Sequence, residues 1–233
     1  MAKRKLLVAL SICLLLQFVA SIPHYRVPYS FENEDDLSLK QTKSQTPLEE
    51  YLASEILPLL VYTAILVEER SRDVIRASNI FLKQAVEALI KLPLESESIH
   101  SNITRFSNLV ERIEGIDLDG DSSAVLTQKS TLLKDIAFLL ADIDLTARGN
   151  VAGRDAIFYI KPYLKDFHKN LLRSADTVVH KFSIIFARFW NSLSETGKMQ
   201  LSELSDWWML FQGAKSSEEK FKHFAKFFEI FKI

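Results

Sequence analysis

Between Ile157 and Leu193 the residues Ile160, Leu164, Phe167, Leu171, Ala175, Val178, Phe182, Ile185 and Phe189 recur so that ten steps cover 36 residues. A mean step of 3.6 is the period of a straight α-helix with one apolar face; a coiled-coil seam repeats at 3.5 and a half-buried strand at 2. A chain with one such long face must build other apolar faces around it. Only 6 Gly and 6 Pro punctuate the 233 residues, which favours few long helices over many short strands. The expected fold is therefore all-α: a multi-helix bundle of about six or seven helices, with one long helix over about 155–195 and no disulfides.

The other elements follow from start and stop signals. Thr46-Pro47-Leu48-Glu49 supplies a cap, a first-turn proline and a capping-box glutamate. It predicts a helix to about Arg70, kinked at Pro58, and a second helix from about Ser71 to Lys91, stopped before Pro93. Ile99, Ile103, Phe106, Val110 and Ile113 step by 4, 3, 4 and 3 toward a capping Gly115, which marks a third. Ser122 or Ser123 caps a fourth, with Leu132, Leu133, Ile136, Leu139, Leu140 and Ile143 inward and Gly149-Asn150 at its end. In the fifth, Pro162 either kinks the helix or marks its true first turn, and Gly197 ends it. A sixth spans about Leu201 to Gln212, and the last starts at Ser216 or Ser217.

The ends of the chain set the compartment. Met1 to Lys5 is a basic n-region, Leu6 to Val19 an apolar h-region, and Val19-Ala20-Ser21 fits signal-peptidase cleavage, so residues 1–21 read as a signal peptide and the protein as secreted. The single cysteine, Cys13, lies inside that signal, so the exported chain has no thiol and depends on burial, or on burial plus a ligand. Residues 22–45 hold Pro23, Pro28, an acidic run and a polar stretch, and read as a disordered lead. Residues 46–233 read as a single helical domain. Removing Lys3, Arg4 and Lys5 leaves 26 basic residues against 30 acidic, a net of −4, and gives no reason to expect a nucleic-acid partner. After the h-region, no apolar run reaches the roughly 20 residues of a membrane span. No adjacent basic pair follows the signal either, which argues against a peptide-hormone precursor.

Candidate chemistry is sparse. Asp117, Asp119 and Asp121 with Gly120 imitate the start of a calcium loop, but Ser122 stands where Gly is needed, and Gln128 where a bidentate Glu should close the shell. A solvated helix connection whose acids favour the next helix N-terminus explains them better. Glu97-Ser-Ile-His100 has carboxylate-bundle spacing but no second copy, and His168 and His180 sit about 120° apart on one helix. The expectation is no metal site and no cofactor. With no cysteine nucleophile, no phosphate loop and no nucleophile elbow, it is also no catalytic residue and no enzyme. Asn102-Ile103-Thr104 is an acceptor for an N-linked glycan in an exported protein, and Asn102 can face water while Ile103 and Phe106 face the core.

Of 25 aromatic residues, 16 fall between Phe158 and Phe231. At 100° per residue, Phe221, Phe224, Phe227, Phe228 and Phe231 lie within an arc of about 120°, with Lys220 beside the stripe. Three readings fit: the stripe closes the protein's own core, lines a cavity for an apolar ligand, or docks on lipid or a partner groove. A net charge of +2 from Ala214 onward argues against a membrane-lytic segment.

Leu193-Ser194, Gly197-Lys198, Leu201 and then Glu219-Lys220-Phe221 with Phe224, Ala225 and Phe228 resemble the end of the nematode fatty-acid- and retinol-binding proteins. The likeness covers about residues 189–231, and the Phe-Pro pair usual in that family is replaced here by Trp207-Trp208-Met209-Leu210-Phe211. The resemblance implies a small secreted all-helical carrier with an internal apolar cavity for fatty acid or retinoid. Its expected ligand-binding residues are Phe182, Phe186, Phe189, Trp190, Trp207, Phe211, Phe221, Phe224 and Phe228, with Arg188 and Lys220 as candidates to hold a carboxylate at the mouth. Two other readings stand beside it. One is a secreted helical signalling or effector protein that engages a protein receptor through an exposed apolar patch, with a filled core and Trp207 or Trp208 on the surface. The other is a surface-active protein whose helices open on lipid particles.

Overall fold

The computed structural model describes residues 47–92, 97–148 and 154–230, with side chains described over 54–92, 97–143, 156–227 and 229–230. The expected leader over 1–21 and lead over 22–45 lie outside the described residues, as do Gly149-Asn150 and Phe231. Seven α-helices follow one another with no strand among the described residues: α1 (Pro47–Ile90), α2 (Glu97–Glu114), α3 (Ser123–Arg148), α4 (Arg154–Ser192), α5 (Glu195–Gln200), α6 (Ser202–Gly213) and α7 (Ser217–Ile230). The all-α class, the helix count and the long helix all match the sequence reading.

Two boundaries differ from that reading. The expected break at Arg70-Ser71 does not occur; α1 runs 44 residues and is longer than α4 at 39. Ser71 does not cap a new helix because its Oγ donates to the Val67 carbonyl at 2.9 Å, as Thr63 does to Leu59 (2.6 Å) and Ser78 to Val74 (2.7 Å). Each buried hydroxyl is satisfied one turn back in its own helix, so it sits in the core without interrupting it. Gly197 does not end the long helix either. Ser194 turns extended and caps α5, its Oγ accepting from the Gly197 N–H at 3.1 Å, and Gly197 is buried inside that short helix. Of the two placements expected for Pro162, the one inside the helix holds: it lies in α4 past the first turn, where it removes one helix hydrogen bond, as Pro58 does in α1.

Other caps are as the sequence suggests. Ser122 Oγ accepts from the Val125 N–H at 3.3 Å, the Gly115 N–H returns to Glu111 at 3.0 Å, and Ser216 Oγ accepts from the Glu219 N–H at 3.1 Å. The Glu219 carboxylate in turn accepts from the Lys215 N–H at 2.9 Å, so the start of α7 is held from both sides.

The two longest helices form the centre and run antiparallel. Glu69 pairs with Lys181, Asp73 accepts from Ser174, and Phe81 stacks on Phe167 at 5.2 Å, so rising numbers on α1 meet falling numbers on α4. Helix α2 lies on α1, joined by Lys83–Glu114, and α3 lies on α1 and α4, joined to α2 by Arg105–Asp142 and by Arg112–Asp135 at 2.6 Å. Exposed pairs of this kind contribute about 0–1 kcal/mol each, so apolar burial carries the assembly. That core is continuous but graded. It is aliphatic where α1, α2 and α3 supply Leu66, Ile75, Leu82, Leu109, Leu133 and Ile136, and aromatic where the C-terminal half of α4 meets α6 and α7. No helix among the described residues is long and apolar enough to cross a membrane.

The acidic connection between α2 and α3 is more than a solvated loop. Asp119 accepts from Arg72 and Arg76 of α1, each at 3.0 Å, and Asp117 accepts from the Asp119 N–H at 3.1 Å. The Arg72 hydrogen bond, with the charges of Arg76 and Arg72, holds the Asp119 carboxyl below its usual range, and the Lys83 hydrogen bond does the same for Glu114. A carboxylate with a folded-state pKa below its unfolded one contributes stability that is present above the ordinary carboxylate range and is lost as pH falls through the lower folded value. Asp119→Asn is therefore expected to flatten the loss of stability below about pH 4. Urea midpoints at pH 7 and pH 3 compare the two proteins, and identical differences between the two pH values would show that this latch contributes nothing.

Candidate functional site: an aromatic layer between α4 and the α6–α7 hairpin

Phe182 and Phe186, one turn apart on α4, are both fully buried and form the centre of a layer of rings. Around Phe182 stand Phe224 at 4.8 Å, Phe227 at 5.1 Å, Phe211 at 5.8 Å and Trp207 at 5.9 Å, all edge-on. Phe186 meets Trp208 at 4.5 Å, Trp207 at 5.0 Å, Phe189 at 5.6 Å and Trp190 at 6.2 Å. Tilted and edge-to-face contacts at these separations suit the ring quadrupoles and contribute about 0.5–1.5 kcal/mol per pair beyond burial. The Trp207 indole N–H is satisfied by the His223 carbonyl at 2.7 Å, which ties α6 to α7.

The layer contains most of the residues the sequence singles out. Phe182, Phe186, Phe189, Trp190, Trp207, Phe211, Phe221 and Phe224 form one connected set, Phe221 joining through Phe224 at 5.9 Å. The Phe228 side chain lies outside the described residues. Of the three readings of the α7 stripe, the structure supports burial for Phe221, Phe224 and Phe227, which are 5%, 3% and 0% exposed. Lys220 lies at the edge of the layer, its Nζ 5.9 Å from the Phe211 ring centroid, within cation–π range. Arg188 is exposed. Trp207 and Trp208 are both buried, which corrects the surface position expected for one of them; Met209 and Leu210 take the outer face of α6 instead. Asn102 is half-buried, and its side-chain amide donates to the Ser98 carbonyl at 2.9 Å.

Sequence reasoning left out two charges that the fold buries. Lys129 of α3 is 1% exposed, and its ammonium reaches Glu68 of α1 at 2.6 Å and the Gly120 carbonyl at 2.8 Å. Arg70 of α1 is 2% exposed, its guanidinium 6.0 Å from the Phe221 ring centroid. Desolvation lowers the Arg70 pKa to about 10, opposed by the nearby charges of Asp73 and Asp176. The available signal was phase: Arg70 falls between Leu66, Val67 and Val74 on the apolar face of α1, and Lys129 precedes Leu132, Leu133 and Ile136 on that of α3.

No group of three His, Cys, Asp or Glu side chains among the described residues is placed to hold a metal ion. No protein-family model, curated protein or solved structure matches this chain.

Proposed function

We propose that this protein is a secreted helical carrier of fatty acids or similar apolar lipids, which takes its ligand into the layer between α4 and the α6–α7 hairpin. The observation that carries this reading is the nature of that layer. Rings join the hairpin to α4, while the ion pairs of this region among the described residues, Lys198–Glu195 and Lys222–Glu218, stay inside single elements. Ring packing rests on dispersion and weak quadrupole contacts and not on ion pairs, so an acyl chain can replace ring against ring with chain against ring without breaking one. Each buried CH₂ contributes roughly 0.8 kcal/mol to such binding. The C-terminal resemblance to the nematode fatty-acid- and retinol-binding proteins supports the same reading.

All three tryptophans, Trp190, Trp207 and Trp208, belong to the layer, so intrinsic fluorescence reports directly on the proposed site. A brominated fatty acid is expected to quench that emission saturably, and lipid extracted from protein secreted by its native host is expected to contain acyl chains. Absence of both quenching and co-purifying lipid would end the carrier reading. Export through the secretory path also predicts that Asn102 carries a glycan; an endoglycosidase that leaves the apparent mass unchanged would remove that part.

One observation favours a second reading, a secreted signalling or effector protein. Leu57, Val61 and Ile65 repeat every fourth residue along α1 and are 55%, 53% and 49% exposed, an apolar ridge of the kind that receptors cover.

A further inference from the structure

Burying a guanidinium is costly unless its N–H groups find acceptors, because desolvation of an unpaired charge exceeds that of any neutral polar group. Arg70 is nearly inaccessible to solvent, and neither its Nε nor its Nη1 has a hydrogen-bond partner. The neighbouring carboxylates do not supply one. Asp73 faces Ser174 across the α1–α4 junction and Asp176 lies on α4; both act on Arg70 through charge alone. Lys129, the other buried cation, has two acceptors within 2.8 Å.

The surroundings of Arg70 give direction to the missing contact. Its guanidinium lies over Phe221, Phe221 meets Phe224 at 5.9 Å, and Phe224 meets Phe182 at 4.8 Å. One buried cation therefore stands at the end of an unbroken line of rings that leads into the centre of the aromatic layer. The charges of Asp73 and Asp176 already act on Arg70, so a monoanion adds less repulsion there than a phosphate dianion would. A planar fork of donors suits the two oxygens of a carboxylate.

We propose that Arg70 is the anion-holding residue of the carrier, taking the carboxylate of a fatty acid whose chain lies along Phe221, Phe224 and Phe182. This assignment rests on the lipid-carrier reading and replaces Arg188 and Lys220 in the headgroup role.

Delipidated protein is titrated with oleic acid and with oleyl alcohol, each displacing a fluorescent acyl probe. The parent protein is expected to bind oleate roughly tenfold to hundredfold more tightly than the alcohol, the span of a charge-assisted hydrogen bond. Arg70→Met is expected to lose that preference and keep its affinity for the alcohol. A parent protein that binds neither compound refutes the carrier reading itself. One that binds both equally, or an Arg70→Met variant that still prefers oleate, leaves the carrier reading standing and overturns the role of Arg70.

Two further measurements test the assignment independently of the variant's ligand preference. In the unmutated protein, the carboxyl-¹³C signal of labelled oleate should titrate at lower pH than in a probe held without a cation; a raised midpoint overturns the proposal. Ligand-free Arg70→Met is expected to melt at a higher temperature than the ligand-free parent, because a buried guanidinium without acceptors at Nε and Nη1 leaves the interior. A large fall in melting temperature would show that the guanidinium is already satisfied within the protein, and would equally overturn it.

Discussion

Phe182→Ala is expected to lower the free energy of unfolding by about 3–5 kcal/mol, the range for truncating a buried phenylalanine in a site that cannot collapse. Phe182 is fully buried and meets five rings, contributed by α4, α6 and α7. Those rings are held by their own neighbours, so none is free to fill the vacancy, and the lost contacts belong to three helices at once. Urea titration followed by tryptophan emission and by far-ultraviolet circular dichroism measures the effect. Phe189, 7% exposed and in ring contact with Phe186, lies further from the centre, and Phe189→Ala is expected to cost less. If Phe182→Ala cost under about 1 kcal/mol, the layer would be too loosely packed to hold α6 and α7 on α4.

Glu68→Ala is expected to cost about 3 kcal/mol, while Lys129→Met is expected to cost far less or to be neutral. The asymmetry follows from where the charges lie. Lys129 is 1% exposed on its side chain and Glu68 27%, so removing the glutamate leaves an ammonium in the interior with only the Gly120 carbonyl. Removing the lysine takes the buried charge away and leaves a carboxylate that still reaches water and stands near Arg72 of the next turn. The methionine chain fills the space of the lysine stem. Equal losses in the two variants would show that the pair acts as an exposed ion pair and not as a buried one. Because Gly120 belongs to the connection that also presents Asp119 to Arg72 and Arg76, the same substitutions test whether the α2–α3 connection is fixed to α1 from both of its sides.

The helices were legible from residues three and four apart, because the apolar period and the caps are local properties. The face from Ile157 to Leu193, the stop at Gly115 and the cap at Ser216 could be read without knowing any neighbour. The reading failed where a residue type serves two purposes. Ser71 can begin a helix or bond back inside one, and the choice depends on whether the flanking turns are both buried, as Val67 and Val74 are. Gly197 can end a helix or sit in the first turn of the next, and Ser194, three residues earlier, had already ended α4.

The candidate site was legible in part for the same reason. Its rings stand out because large aromatic residues concentrated on three adjacent helices are most stable when they share one interior, and eight of the nine singled out fall into connected contact. The charges did not stand out. Arg70 and Lys129 each sit in phase with an apolar stripe, but a long basic side chain at such a position usually carries its head back to water.

What the amino-acid sequence determined by itself is the all-helical class, the placement of most helices and the gathering of aromatic surface in the last third. Each of these depends on spacing along a single helix. The tertiary structure alone decided that Lys129 finds two acceptors and that Arg70 finds none at Nε or Nη1. The reason is that an acceptor is supplied by another segment: Glu68 and Gly120 come to Lys129 from 61 and 9 residues away, and Arg70 meets the face of Phe221 instead.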